Sequence, residues 1–345
     1  MNAKLYRIVV LVALLAILFT GCAPAATPAP TAAPTKAAAP VEKPLRIAAI
    51  YPSPVSDAAF SQSMHEAILA IQKEMGGKDK LEYAYSENMF NVPDAAAAVR
   101  DYAAKGYDLV IAHGSQYGSS LQQVAPDFQK TSFAWGTSLN TFQADGINNI
   151  FAYQAEAQQG GYVQGLIAAK MTKSNTAGVC GPVEAGDAKL YVDGFKAGFK
   201  AGKADAKINV TYTGSFSDVS LMAAAAETHI KNGADMLTGS SQSVVGAIGI
   251  LKDKNAFWFG TQWDQTSLAP KAVVASQVYD WTGVLKDIIA SRKAGVLGNK
   301  SYTLTFKNGG LVIKYNAGVT VPDDVKKAAD DAIAGIKAGK IDPLK

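Results

Sequence analysis

Chemistry in a protein of this size is usually announced by histidines, carboxylates or thiols at fixed spacing, and the 345 residues offer no such constellation. The 3 histidines, His65, His113 and His229, are far apart, in neither a HExxH nor a paired His/Cys spacing. His65 and His229 read as helix-surface positions. His113 ends a buried strand beside Gly114, where a side chain could face a cleft. There is no GxSxG, P-loop or zinc spacing, and Gly160-Gly161 and Gly309-Gly310 read as turn signals. The 2 cysteines support neither a disulfide scaffold nor a thiolate metal site. No catalytic residue, metal or cofactor is expected.

Aromatic rings at strand ends stand out instead. Tyr51 ends the first strand, and Phe60 opens the first helix after Ser56-Asp57-Ala58-Ala59. Tyr117 follows Gly114-Ser115-Gln116, and Trp135 ends its strand. Phe216 follows Thr213-Gly214-Ser215, and Trp263 follows Gly260-Thr261-Gln262. These are the positions that line the crevice of an α/β fold. Such a set suits a flat heteroaromatic ligand gripped between rings, at about 1–3 kcal/mol per stacked base. The competing use of each ring is to plug the core of its own lobe.

The elements that must position these rings alternate. A strand at Leu45–Tyr51 precedes a helix from about Ser61 to Met75, where Met64, Ile68, Ile71 and Met75 share one face. Strand 80–85, helix 94–105, strand 108–113, helix 116–130, strand 132–135 and helix 158–171 follow. The second half continues with strands at 177–181, 207–213, 235–238 and 256–260, and helices at 188–202, 219–232 and 243–252. Short strands between longer helices argue for α/β with parallel sheets. About five units precede Gln154 and four follow, so two doubly wound lobes with a hinge and an interlobe cleft are expected. The segments after 267 break the pattern: 273–278, helix 280–294, 303–306, 311–315 and a closing helix 321–339. They predict crossings between a first lobe, 45–153 plus about 267–300, and a second, 154–266 plus about 301–345. Ligands of such folds sit at the carboxyl ends of strands, where the lobes meet.

Composition narrows the class without identifying the ligand. Lys and Arg number 33 against 29 Asp and Glu, a formal charge of +4 with no basic cluster, which argues against nucleic acid. At 48% hydrophobic and 18% charged, the chain is neither wholly disordered nor collagen-like. At the amino end, Lys4 and Arg7 precede an uncharged apolar run, Ile8 to Phe19, shorter than the ~20 residues of a membrane span and suited to a secretory leader. Leu18-Phe19-Thr20-Gly21-Cys22 resembles the bacterial lipobox, which implies removal of residues 1–21 and lipidation of Cys22. Each acyl chain buries about 0.8 kcal/mol per methylene. Residues 22–44 are rich in Ala and Pro and read as an extended tether. Cys180, in an apolar stretch, reads as an inert buried strand residue.

At the cleft positions the chain resembles the basic membrane protein family of ABC-transporter solute-binding lipoproteins, whose known type is a purine nucleoside receptor. Asp57-Ala58-Ala59-Phe60-Ser61-Gln62 is similar to the family's Asp-Lys-Ser-Phe-Asn-Gln. The segment from Gln154 to Ala169 resembles the family's Glu…Gly-Ser-Tyr-Leu-x-Gly-x-x-Ala helix, and Gly194-Phe195-Lys196-Ala197-Gly198 its Gly-Phe-x-x-Gly. Gly214-Ser215-Phe216-Ser217-Asp218 and Gly260-Thr261-Gln262-Trp263-Asp264-Gln265 follow its Gly-x-Phe-x-Asp and Gly-Val-Asp-x-Asp-Gln.

The resemblance implies a type I periplasmic-binding-protein-like fold and a purine sandwiched by Phe60 and Phe216. Where the family holds sugar hydroxyls with acidic residues and a lysine, this chain has Tyr51, Ser61, Gln262 and Tyr279. Tyr and Gln match vicinal hydroxyls less well than charged acceptors, so a free nucleobase becomes as fitting as a nucleoside. Asp264, Gln262 and Ser115 are expected as polar contacts, with Tyr117, Trp135 and Trp263 as further lining. Expected partners are the ligand, an ABC permease with its ATPase, and the membrane through the lipid anchor on the extracytoplasmic face. Two other classes remain open: a ligand-sensing surface receptor and a nucleoside-processing surface enzyme.

Overall fold

The computed structural model describes residues 43–251 and 254–345. The leader 1–21, Cys22 and the tether as far as residue 42 lie outside the described residues. Among the described residues no helix is long and apolar enough to cross a membrane.

Two six-stranded sheets organise the described residues. The first contains β1 (Leu45–Ile50), β2 (Leu81–Ser86), β3 (Leu109–Ala112), β4 (Ser132–Gly136), β5 (Ile150–Ala155) and β11 (Ser301–Leu304), in the order β2-β1-β3-β4-β5-β11, all parallel. The second contains β6 (Thr176–Gly181), β7 (Lys207–Tyr212), β8 (Met236–Gly239), β9 (Phe257–Gln262), β10 (Val273–Tyr279) and β12 (Leu311–Tyr315), in the order β7-β6-β8-β9-β10-β12. Only β12 runs antiparallel, along the edge of β10.

Both faces of each sheet are covered, which is why the strands read as near-continuous apolar runs. In β1, Ile47 and Ala49 join the core shared with α1 (Phe60–Glu74), while Ala48 and Ile50 pack toward α2 (Val92–Ala104) and α3 (Gly118–Val124). In β6, Ala177 and Val179 face α4 (Gln158–Met171) and α5 (Gly186–Gly202), while Cys180 faces α6 (Val219–Lys231) and α7 (Val244–Ile250). Cys180 is fully buried, and burial pushes its thiol up to about 12, so it is the inert strand residue expected.

The division of the last third differs from expectation. β10 is the fifth strand of the second sheet, and β11 supplies the outer edge of β5 with a parallel partner in the first. The chain therefore crosses between sheets after β5, after β10 and after β11. Helix α8 (Thr282–Lys293) returns to the first lobe, where Arg292 Nη2 meets Asp108 at 2.9 Å and Nη1 donates to Ser132 at 3.0 Å. The closing helix α9 (Asp323–Lys337) packs on α4 of the second lobe. Two local expectations also change. The single helix over 116–130 is broken into the 3₁₀ turn Ser115–Tyr117, α3 and a second turn at Ala125–Asp127, because Pro126 cannot continue α3. Strand β5, not anticipated within 136–157, is a buried six-residue strand.

Gly160-Gly161 is not a turn but part of α4. Helices α4 and α5 meet backbone to backbone: a Cβ at Gly161 or Gly165 would strike the carbonyls of Tyr191 or Phe195, and one at Gly194 or Gly198 those of Gln158 or Tyr162. Spacing of four puts each glycine pair on one face. Neither backbone can give way as a side chain would. Gly198→Ala is expected to destabilise by at least ~1–3 kcal/mol through overpacking, read as a lower urea midpoint. Gly249→Ala, in a helix with open space around it, should leave stability unchanged or raise it by about 0.5–1 kcal/mol, read as an unchanged or higher midpoint.

Candidate functional site

Both sheets wind in the order 2-1-3-4-5, whose topological switch lies between the first and third strands. At the carboxyl ends of those strands the two lobes enclose a cavity of about 340 Å³. Its first-lobe wall comes from the loops after β1 to β4, including Phe60, Phe90, Ser115 and Thr137. Its second-lobe wall comes from the ends of β6 to β9, including Asp187, Phe216, Gln242 and Gln262. Gln265 Nε2 donates across the boundary to the Ala58 carbonyl at 3.1 Å. A hollow of about 530 Å³ lies instead beside α8 and β11, with Tyr302 as its one ring.

Phe60 is the most constrained of the lining rings. Asp57 holds the start of α1, accepting from the amides of Ala59 (2.8 Å), Ser61 (3.1 Å) and Gln62 (3.1 Å). Ser53 donates to the same carboxylate at 2.7 Å, yet burial dominates and raises the Asp57 pKa. The Phe60 ring lies flat on the His113 imidazole, centroids 3.7 Å apart and planes 7° from parallel. Its carbonyl accepts from His113 Nε2 at 3.0 Å, while Nδ1 accepts from the Tyr153 hydroxyl at 2.8 Å. This pairing fixes a neutral tautomer, and burial lowers the His113 pKa to about 3. His113 is thus fully committed behind Phe60 and is no acid–base group for the cavity. Phe60 is only 3% exposed, and what remains of its surface lines the cavity.

The second-lobe wall is more open. Phe216 is half-buried in the loop after β7, held by Ser241 Oγ, which donates to its carbonyl at 2.7 Å. Gln262 ends β9 with a left-handed backbone, φ +74°, and Thr137 has φ +59° after β4. Such conformations cost non-glycine residues energy and here aim two polar side chains into the cavity. Four buried oxygens without a partner border it: Thr137 Oγ1, Asp187 Oδ2, Gln242 Oε1 and Gln262 Oε1. Among the lining residues Asp187 is the only ionisable group, and none is cationic. Burial raises its carboxyl to about 6. The described residues hold no cluster of His, Cys, Asp or Glu suited to a metal.

Of the residues singled out from sequence, Phe60, Ser115, Phe216 and Gln262 meet at this cavity. The others do not line it. Tyr51 is fully buried behind His113, its hydroxyl paired with that of Tyr83 at 2.8 Å. Ser61 is sealed, its Oγ bonded to Ser53 at 2.6 Å. Tyr117 is a core ring, but its hydroxyl donates to the Met89 carbonyl at 2.8 Å and so braces the loop bearing Phe90. Trp135 lies over Gly118, stacks on Phe142 at 5.2 Å and donates to the Gly114 carbonyl. Trp263 and Tyr279 border a separate groove of about 560 Å³ between α1 and β12. Asp264 is bound to Lys314 Nζ at 2.8 Å; burial alone would raise its pKa, but Lys314 and Thr266 outweigh it and hold it low.

Sequence reasoning missed Phe90, Thr137, Asp187 and Gln242. All four lie just beyond parallel strands, so the strand-end rule that found Phe216 applies to them as well. His229, expected on a helix surface, is buried under β6, with Nε2 on the Val179 carbonyl at 3.2 Å.

Residues 45–341 match the Bmp family, described as ABC transporter substrate-binding protein, PnrA-like. The chain belongs to this family. It is 28% identical over 307 residues to a purine-binding protein of Brucella abortus, covering 89% of this chain and 85% of the relative. It is 27% identical over 301 residues to the ABC transporter nucleoside-binding protein BmpA of Lactococcus lactis, covering 81% and 84%. A solved ABC transporter solute-binding protein from Conexibacter woesei shares the fold, with a TM-score of 0.71 at 21% identity over 86% of this chain and 98% of that one. As a Bmp-family ABC transporter substrate-binding protein, the chain has the periplasmic-binding-protein architecture, and its class works outside the cytoplasm.

Two of the buried titratable groups, His113 and Asp187, bias stability in opposite directions. His113 has a folded pKa of about 3 against an ordinary 6.5, so the unfolded chain binds the extra proton and stability falls as pH drops from 6.5 toward 3. Asp187 is raised from 3.8 to about 6, so its contribution is intact below 3.8 and is lost as pH rises through 6. Asp187→Asn is therefore expected to exceed the parent in urea midpoint at pH 8 and to match it at pH 4. His113→Phe should flatten the acid limb while lowering stability at pH 7 by about 1–3 kcal/mol, because the Tyr153 hydroxyl loses its partner.

Proposed function

We propose that this Bmp-family protein captures an uncharged purine, as base or nucleoside, and delivers it to the permease and ATPase of an ABC importer. The observation that carries the reading is one cavity in which rings from both lobes, Phe60 and Phe90 against Phe216, accompany buried acceptor oxygens and no cation. Aromatic walls suit a flat heterocycle, and unpartnered acceptors demand N–H or O–H donors from it. The lining has Asp187 and no lysine or arginine to balance a phosphate, which argues against a nucleotide. The names of the Brucella and Lactococcus relatives, purine-binding and nucleoside-binding, support the same class.

Capture involves no chemistry. An open form admits the ligand, and closure is favoured because only then do both lobes contact it. His113 is not available to the cavity as a base, since both its nitrogens are engaged behind Phe60. Cys22, lipidated after removal of residues 1–21, would hold the protein on the extracytoplasmic face of the membrane through the tether.

Calorimetry on the purified protein tests this. Hypoxanthine, adenine, guanine or their nucleosides should bind and the monophosphates should not; equal binding of inosine and its monophosphate, or of no purine at all, would refute the assignment. Phe216→Ala should cost about 1–3 kcal/mol of binding, the value of one stacked base. For the anchor, Cys22→Ser should move the protein from the membrane fraction to the soluble one in the cell that makes it.

A further inference from the structure

Asp187 is the charged member of the cavity wall, and it faces no cation there. It lies at the start of α5, 8% exposed, with Oδ2 sealed from solvent and without a hydrogen-bond partner. Burial raises its pKa, partly offset by the amides of Asp187 and Ala188 and by the buried Tyr279 hydroxyl behind it, although neither Oδ2 nor that hydroxyl closes a hydrogen bond of good geometry. A buried carboxylate in this position is unfavourable until a donor reaches it. The lining residues supply no cation, so any further donor to this carboxylate comes from the occupant of the cavity.

The presentation of the carboxylate restricts that donor. With Oδ2 sealed, Asp187 presents chiefly its other oxygen to the cavity and cannot make a bidentate contact there. The bidentate grip that best fits two neighbouring ribose hydroxyls uses both oxygens of a carboxylate. A free purine carries an imidazole N–H that the nucleoside lacks, because the sugar occupies that ring system's nitrogen. A heteroaromatic N–H is also more acidic than a sugar hydroxyl, and so the stronger partner for an anion. Gln242 Oε1 and Gln262 Oε1, likewise unpartnered, remain for donors elsewhere on the base.

We propose that Asp187 accepts the imidazole N–H of a free purine base lying between Phe60 and Phe216, and thereby selects bases over nucleosides. This rests on the purine reading of the site and sharpens it. In the sequence the same residue replaces no charged position of the family motifs discussed above, so the carboxylate reaches the ligand from a different element.

Calorimetry with hypoxanthine, inosine and 9-methylhypoxanthine on the parent, Asp187→Ala and Asp187→Asn tests it. The parent should bind hypoxanthine at least tenfold more tightly than the other two. Asp187→Ala should weaken hypoxanthine tenfold or more while changing inosine less than twofold, which collapses the ratio. Should the alanine variant fail to fold, Asp187→Asn, nearly isosteric, must still weaken hypoxanthine more than inosine. Equal losses for the two ligands, or a parent that prefers inosine, would overturn the assignment while leaving the purine reading intact. A parent that binds none of the three would overturn both.

Discussion

His113 stands between Phe60 and Tyr153 with both ring nitrogens engaged, one on a main-chain carbonyl and the other under a phenol hydroxyl. The first-lobe wall depends on that arrangement. The Phe60 carbonyl can only accept, so Nε2 carries the proton, and in the neutral ring Nδ1 is left to accept from Tyr153. Burial enforces the neutral ring by disfavouring the charge. Trp281 meets the edges of both Phe60 and His113, and its indole N–H donates to Ser63 at 3.0 Å, so the same unit reaches the second crossing between the lobes. A ring held on this many sides loses little further freedom when something settles against it, and preorganisation of that kind is what makes an aromatic surface useful.

The opposite wall is built on different terms. Its rigidity comes from the glycine-mediated contact of α4 and α5, and the loops at its strand ends carry Phe216, Gln242 and Gln262 with fewer restraints. Gln164 ties α4 to the sheet beneath it, donating to the Gly260 carbonyl at 2.9 Å and accepting from Tyr191. One lobe thus offers a fixed surface and the other three of the four unpaired oxygens, on a firm base.

Most of the architecture was legible because parallel strands buried on both faces are uniform in the sequence, as at Leu109–Ala112 and Thr176–Gly181. Helix α4 could be delimited to the residue, since Thr172 leaves the helical region where the apolar run ends. The crossings were not legible. β10 and β11 have similar strand patterns, and which sheet receives each is decided by long-range pairing with β9 and β5. At the site, the strand-end rule locates a residue but not the direction of its side chain. Tyr51 and Phe60 both follow β1, yet one turns behind His113 and the other in front of it. Asp187 escaped notice because an acidic residue in the first turn of a helix reads as ordinary capping. Only the sealed environment distinguishes it.

Because the chain returns to the first sheet so late, neither half of the molecule is a continuous stretch of polypeptide. By the time β5 emerges from the ribosome, five strands of the first sheet exist, but the outer edge of β5 stays bare until residues 301–304 arrive some 150 residues later. An uncovered parallel edge invites pairing with other chains. Completion of the first sheet must therefore wait for nearly the whole second one to be synthesised, and a fragment ending at residue 155 would carry that open edge permanently.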